Sequence, residues 1–365
     1  MTAWPDQPAF PSPPPPNPAE ARPAPAPPLP PAGEAQRLAS RVPAPIEELL
    51  FEVKRLIVGQ DRLLERLLVA LLSGGHVLLE GVPGLAKTAT VKAFAEVIGG
   101  SAGRIQFTPD LVPADLIGTR IYSPARAEFT TELGPVFCNL LLADEINRAP
   151  AKVQSALLEV MQERQVTIGK QSYRVPEPFL VLATQNPIET DGTYPLPEAQ
   201  LDRFMLKVLV DYPSFAEEVV VVERITGPPI QLRQVITVEQ LGEMQRSVAG
   251  VYVDPTVRAY AATLVTATRQ ARVMGLEDVA PAIAFGASPR ASINLVAAAR
   301  ALAFMRGRNY ALPHDVAEVA PEVIRHRLVL TYEGIAGGIT SEAIIWRLLE
   351  RFPPPRIDLG DRVAS

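Results

Sequence analysis

The sequence predicts an α/β fold in which a parallel sheet is followed by a smaller helical domain. Three observations carry that prediction. A Gly-rich octapeptide, Gly81-Val82-Pro83-Gly84-Leu85-Ala86-Lys87-Thr88, joins the apolar run His76 to Glu80 to a helix-like Ala89 to Ile98. Two near-continuous apolar runs, Asn139 to Ala143 and Phe179 to Thr184, are of the kind that parallel strands buried on both faces require. From about Pro213 the β/α alternation stops, and the apolar spacing becomes helical.

The N-terminus stands apart. Fourteen of the 38 prolines fall in the first 31 residues, with few large apolar side chains among them. Residues 1–44 cannot bury enough surface to offset their ordering entropy, so they read as a disordered or polyproline-II tail. From Pro45 the pattern turns helical: Ile46, Leu49, Leu50, Val53 and Leu56 share one face, and after Gly59-Gln60 a second stripe, Leu63 to Leu71, runs to the breaker Ser73-Gly74-Gly75.

The octapeptide then reads as a phosphate-binding loop. Backbone N–H groups of such a turn point inward, and the helix it opens presents its positive dipole end to the ligand. Lys87 would reach the terminal phosphates and Thr88 would ligate Mg²⁺. The strict pattern has Gly before the Lys, where this chain has Ala86, so an ordinary strand-turn-helix junction is the competing reading.

Segments Thr119 to Tyr122 and Glu128 to Leu133 alternate about Ser123 to Ala127, which predicts a hairpin. The strand beginning at Asn139 ends in Asp144-Glu145, and ligands gather at the carboxyl ends of parallel strands. Asp144 stands where a Mg²⁺ site needs a carboxylate acting through water, and Glu145 where a base would orient the attacking water. Ala151 to Arg164 is an amphipathic helix. Gln165 to Ile168 and Ser172 to Val175 form a second hairpin about Gly169-Lys170-Gln171. The strand from Phe179 ends in Gln185-Asn186, and Asn186 could hold the water or the terminal phosphate if it lies beside Asp144. Arg203 either pairs locally with Asp202 or Glu198 or serves as a charge inserted into a neighbouring subunit's site. Ser288-Pro289-Arg290 is a helix start with Ser as N-cap. Arg290 in that first turn is unfavourable unless an anion sits there too; a phosphate would explain its position, and the alternative is that the guanidinium reaches solvent.

Composition narrows the function classes. A 365-residue chain with 47% hydrophobic and 21% charged residues has room for about two domains. A net charge of −5 gives no global case for nucleic acid, which is expected not to be the partner. Cys138 alone cannot form an intramolecular disulfide, and His76, His314 and His326 are too scattered for a metal site. No run of about 18 apolar residues and no secretory signal is present, so the cytoplasm is the expected compartment.

In order along the chain, the phosphate loop, Asp144-Glu145, Asn186, Arg203 and Arg290 resemble the AAA+ ATPases. The runs Gly81 to Thr88, Leu142 to Pro150, Ala183 to Glu189 and Gly192 to Phe204 are similar to those of the MoxR family, whose members typically carry Ala at the Ala86 position. The resemblance spans about residues 45–352. It implies an AAA+ α/β core over 45–212, a helical lid over 213–352, and a C-terminal tail over 353–365. It also implies ATP and Mg²⁺ as cofactors, with Gly59 and Gln60 near the adenine and Arg203 and Arg290 as finger and second sensor. An ATP-hydrolysing homo-oligomeric ring is expected, a hexamer, with nucleotide between core and lid, chaperone-like action on a client protein, and a partner bearing a von Willebrand factor A domain. A nucleic-acid motor and a slow nucleotide-dependent switch are the alternatives, separated by DNA-stimulated turnover and by turnover with a partner.

Overall fold

The computed structural model describes residues 43–81, 87–124, 127–186 and 193–357. Residues 1–42, the loop residues Val82, Pro83, Gly84, Leu85 and Ala86, the turn residues 125–126, the motif residues 187–192 and residues 358–365 lie outside that set, and with them the expected proline-rich tail, most of the phosphate loop and most of the C-terminal tail.

The chain opens with α1 (Ala44–Lys54) and α2 (Asp61–Ser73). Helix α2 ends where the sequence breaks: Gly74 takes a left-handed φ of 65°, which only glycine adopts without strain, and the chain turns into β1 (Val77–Gly81). Helix α3 (Lys87–Val97) follows the loop, then β2 (Ala102–Gln106) and the short α4 (Pro113–Ile117). A hairpin of β3 (Gly118–Ser123) and β4 (Glu128–Leu133) precedes β5 (Leu140–Asp144) and α5 (Ala151–Glu163). A second hairpin, β6 (Gln165–Ile168) and β7 (Gln171–Arg174), leads to β8 (Leu180–Gln185). Its turn is two residues rather than three, because Gly169 supplies a φ of 67° and Gln171 already pairs with Ile168. Helix α6 (Glu198–Leu201), β9 (Leu206–Val210) and α7 (Phe215–Thr226) complete the first half.

The five-stranded sheet runs β2-β5-β8-β1-β9 with every pair parallel. Strands β5 and β8 are buried until their last residue, and alternate side chains enter different cores. Leu140, Leu142, Leu180 and Leu182 face a cluster with α1, α2 and α3, whereas Leu141, Ala143, Val181 and Ala183 face one built on Leu157, Phe179 and Phe204. Burial on both faces explains why these strands read as unbroken apolar runs.

The second half is α8 (Val238–Ala249), α9 (Pro255–Arg269), α10 (Pro289–Met305), α11 (Pro313–Ile324), a 3₁₀ turn at Arg325–Arg327, α12 (Tyr332–Ala336) and α13 (Ser341–Arg351). It is not purely helical. Four very short strands, β10 (Tyr252–Val253), β11 (Ile283–Phe285), β12 (Tyr310–Ala311) and β13 (Val329–Leu330), pair as β10–β12 and β11–β13. The helical half shares the apolar cluster of α1, α2 and α3, so one core runs from the sheet half into the helical half.

Candidate functional site

The sheet order sets the site. Because β5, β8 and β1 are parallel neighbours, Asp144, Gln185 and Gly81 emerge side by side at one edge. Lys87 and Thr88 form the first turn of α3 at that same edge, both half-buried. Lys87 Nζ donates to Gly81 O at 3.1 Å. Burial draws the Lys87 ammonium below the usual lysine range, and the charges of Asp144 and Glu145 oppose that effect, so all three groups share one electrostatic environment.

A residue to which the sequence reading gave no site role holds the Asp144 carboxylate and the Glu145 backbone. Thr184, 1% exposed, donates to Asp144 Oδ1 at 2.7 Å and accepts from the Glu145 N–H at 2.9 Å. The other Asp144 oxygen accepts from Arg104 at 2.9 Å. Glu145 turns the chain with a left-handed φ of 56°, and its carboxylate pairs with Arg148 at 3.0 Å. Buried Gln154 on α5 donates to the carbonyls of Ile146, Ala149 and Tyr194, which pins the turn after the strand. The signal for Thr184 was available: a hydroxyl at the last buried position of an apolar strand. Arg104 had no such signal, because Asp144 is 40 residues away, and Gln154 had none because it lies in an amphipathic helix whose polar positions are expected to face solvent. Asn186 follows β8 at the same edge and is half-buried.

Gly59 and Gln60 reach this edge from the side. Gln60 Nε2 donates to Asp211 O at 3.4 Å, just past β9. Gly59 has a left-handed φ of 69°, which favours glycine, and the Glu217 carboxylate lies against it.

Arg203 and Arg290 are elsewhere. Arg203 precedes β9, and the N–H groups of Met205 and Leu206 donate to the carbonyl of His76, which precedes β1. Arg203 therefore lies at the amino edge of the sheet, a strand length of roughly 16 Å from Gly81 and Lys87. Its guanidinium is exposed, has no bonded partner among the described residues, and with Arg290, His76, Met161 and Gln162 lines a cavity of about 110 Å³. The local pairing of Arg203 with Asp202 or Glu198 is not what forms. Asp202 is instead bound by the helical half: Ser288 Oγ donates to both carboxylate oxygens at 3.0 and 2.9 Å, Arg327 Nε donates at 2.7 Å, and Arg290 lies at 3.3 Å. Asp202 is thus the anion that Arg290 needs in the first turn of α10. Expected beside the phosphates of its own chain, Arg290 is instead carried to the amino edge, because the helical half folds back over that end of β9.

Residues 76–206 match the sequence pattern of the ATPase family associated with various cellular activities (AAA), and residues 276–347 match the AAA lid domain. Over 328 residues the chain is 56% identical to Chaperone MoxR1 of Mycobacterium tuberculosis, covering 90% of this chain and 87% of that one. The chain belongs to the MoxR family of AAA+ ATPases. Protein MoxR of Paracoccus denitrificans is 36% identical over 293 residues, 75% of this chain and 86% of that one. A crystal structure of a candidate ATPase from Cytophaga hutchinsonii superposes with a TM-score of 0.82 at 45% identity, over 89% of this chain and 98% of that one. The parallel sheet is accordingly an AAA+ core and the helical half a lid of the MoxR type. Among the described residues, no cluster of His, Cys, Asp and Glu could hold a metal without a ligand's help, and no helix is long and apolar enough to cross a membrane.

Proposed function

We propose that this MoxR-family protein hydrolyses ATP with Mg²⁺ and uses the cycle to remodel a client protein as a homo-oligomeric ring, a hexamer. The observation that carries the reading is the convergence of Lys87, Asp144 and Glu145 at the carboxyl edge, where the half-buried ammonium feels the charges of both acids and Thr184 holds the Asp144 carboxylate and the Glu145 backbone N–H. These residues suit the cofactors. The ammonium offers charge for terminal phosphates, the Thr88 hydroxyl a metal ligand, and Asp144, whose oxygens already accept two hydrogen bonds, a grip on metal-bound water. Bound Mg²⁺ and ATP supply an electrophilic phosphorus whose oxygens are already partly neutralised. Glu145 accepts a proton-bearing contact from water and orients it, Asn186 steadies the same region, and Gly59 and Gln60 flank the base.

Arg203 and Arg290 serve the neighbouring copy's nucleotide. They lie together at the amino edge, so a shared site needs a head-to-tail contact between two chains. Helix α7, beside the carboxyl edge through Glu217, supports such a contact: Phe215, Val219, Val222 and Ile225 are exposed along it, an apolar stripe that a second copy would cover. We assign the core to 45–212 and the lid to 213–352. The family resemblance further suggests a von Willebrand factor A domain partner and action in the cytoplasm, and the relative named Chaperone MoxR1 supports a chaperone role.

The test is Glu145→Gln. It should bind ATP with wild-type affinity and hold it unhydrolysed, and material captured with the ATP-locked protein should contain the client. Undiminished turnover would remove Glu145 from the mechanism.

A further inference from the structure

We infer that Arg327 is a positioning residue for Arg203, and that the lid sets the reach of this arginine into the neighbouring site. The inference rests on the proposed action of Arg203 on a second copy. Three consecutive lid residues, Arg325, His326 and Arg327, form the 3₁₀ turn after α11 and bond the backbone of the Asp202 to Lys207 run. Arg325 donates to Lys207 O at 3.0 Å, and His326 Nε2 bonds Phe204 O at 3.1 Å.

Arg327 does most of the fastening. Its side chain is 1% exposed and directs all three nitrogens at the run: Nε to Asp202 Oδ1 at 2.7 Å, Nη2 to Asp202 O at 3.0 Å and Phe204 O at 2.6 Å, and Nη1 to Met205 O at 3.4 Å. Nη1 also bonds Val323 O, which ties the guanidinium to its own helix. Burial holds the Arg327 pKa down to about 10 against the opposing charge of Asp202, so the group stays charged at neutral pH.

Arg203 lies between Asp202 and Phe204, both gripped by this one side chain, while its own guanidinium is left unbonded among the described residues. Asp202 is also bound by Ser288 and Arg290 from a second lid element. The backbone of residues 202–205 is therefore clamped between the sheet, through the His76 carbonyl, and the lid, and Asp202 links the Arg203 backbone to Arg290. A single-point donor such as lysine cannot serve four carbonyls and a carboxylate at once, and catalysis is sensitive to displacements of an ångström.

The experiment compares Arg327→Lys and Asp202→Asn with Arg203→Ala, each alone and mixed in equal amounts with Lys87→Ala. Thermal melts and sedimentation first establish which variants fold and assemble; Asp202→Asn carries the test should Arg327→Lys fail to fold. The expected result is wild-type ATP affinity, kcat lower by about 10-fold to 100-fold with little change in KM, and turnover recovered on mixing with Lys87→Ala. Recovery is expected because the intact loop of the clamp variant then meets the well-placed Arg203 of the Lys87→Ala chain; a fault in the variant's own site would not respond. Wild-type kcat in both folded variants would overturn the inference. So would failure of the clamp variants to recover in mixtures where Arg203→Ala does. Failure of Arg203→Ala itself to recover would refute the shared-site reading, and this inference with it.

Discussion

Replacing Thr184 with Val should both destabilise the fold and slow hydrolysis, and the two effects have separate structural sources. The hydroxyl is buried and makes two bonds, one to the Asp144 carboxylate at 2.7 Å and one from the Glu145 N–H at 2.9 Å. A bond to a charged group contributes about 1.5–3 kcal/mol, and a buried N–H left without a partner costs about 1–3 kcal/mol. The contributions overlap, so a loss of about 3 kcal/mol is expected, a fall in Tm of roughly 5 °C. Turnover should fall by about 10-fold or more, because Asp144 loses one of its two donors and the left-handed turn at Glu145 loses its anchor. Thr184→Ser is the control. It keeps both bonds and gives up one methyl, about 1 kcal/mol, with turnover near wild type. Differential scanning calorimetry and steady-state phosphate release read the two effects. A Thr184→Val protein that melts and turns over like Thr184→Ser would refute the role assigned to the hydroxyl.

Stability should fall as the pH drops below neutrality. The buried His76 accepts the Val181 N–H on Nδ1 and so donates from Nε2 to Met161 O, while burial and Arg164 hold its pKa down to about 3; burial and Arg327 likewise hold His326 well below the ordinary value. Below pH ~6.5 the unfolded chain binds protons that the folded chain refuses, so His76 costs roughly 1.4 kcal/mol per pH unit, about 2 kcal/mol between pH 7 and pH 5, and His326 adds in the same direction. Melts across that range should show the decline, His76→Gln should make it shallower, and a flat wild-type profile would contradict it. On the apolar stripe of α7, the double variant Val222→Lys, Ile225→Lys should fold normally, since neither side chain is buried, yet sediment as smaller species with reduced turnover. Unchanged assembly would show that this face is not the contact.

Much of the core was legible because its physics is local or repetitive. The runs at 140–143 and 180–183 are apolar since both faces are buried, and Ser288 caps the helix its position suggested, accepting from the N–H group of Arg290. The carboxyl-edge residues were legible for a related reason: parallel strands deliver their ends to one place. What could not be read depends on partners far apart in sequence. Asp202 precedes Arg203 and invites a local pair, but Ser288, Arg290 and Arg327, 86 to 125 residues away, take it instead. The position of Arg290 follows from the direction of β9 and the return of the lid, neither of which periodicity encodes. The strands β10 to β13 are two or three residues each, too short for any alternation to register.

The central claim is that one site is made by two chains, with Lys87, Asp144 and Glu145 at the carboxyl edge of one and Arg203 at the amino edge of the next. The most direct measurement is ATP turnover of Arg203→Ala mixed in equal amounts with Lys87→Ala after dissociation and reassembly. Each variant alone should be inactive, and random head-to-tail neighbours should restore about a quarter of the wild-type rate, since that share of contacts pairs an intact Lys87 with an intact Arg203. A mixture that co-assembles, as shown by sedimentation, and remains as inactive as its components would contradict the claim.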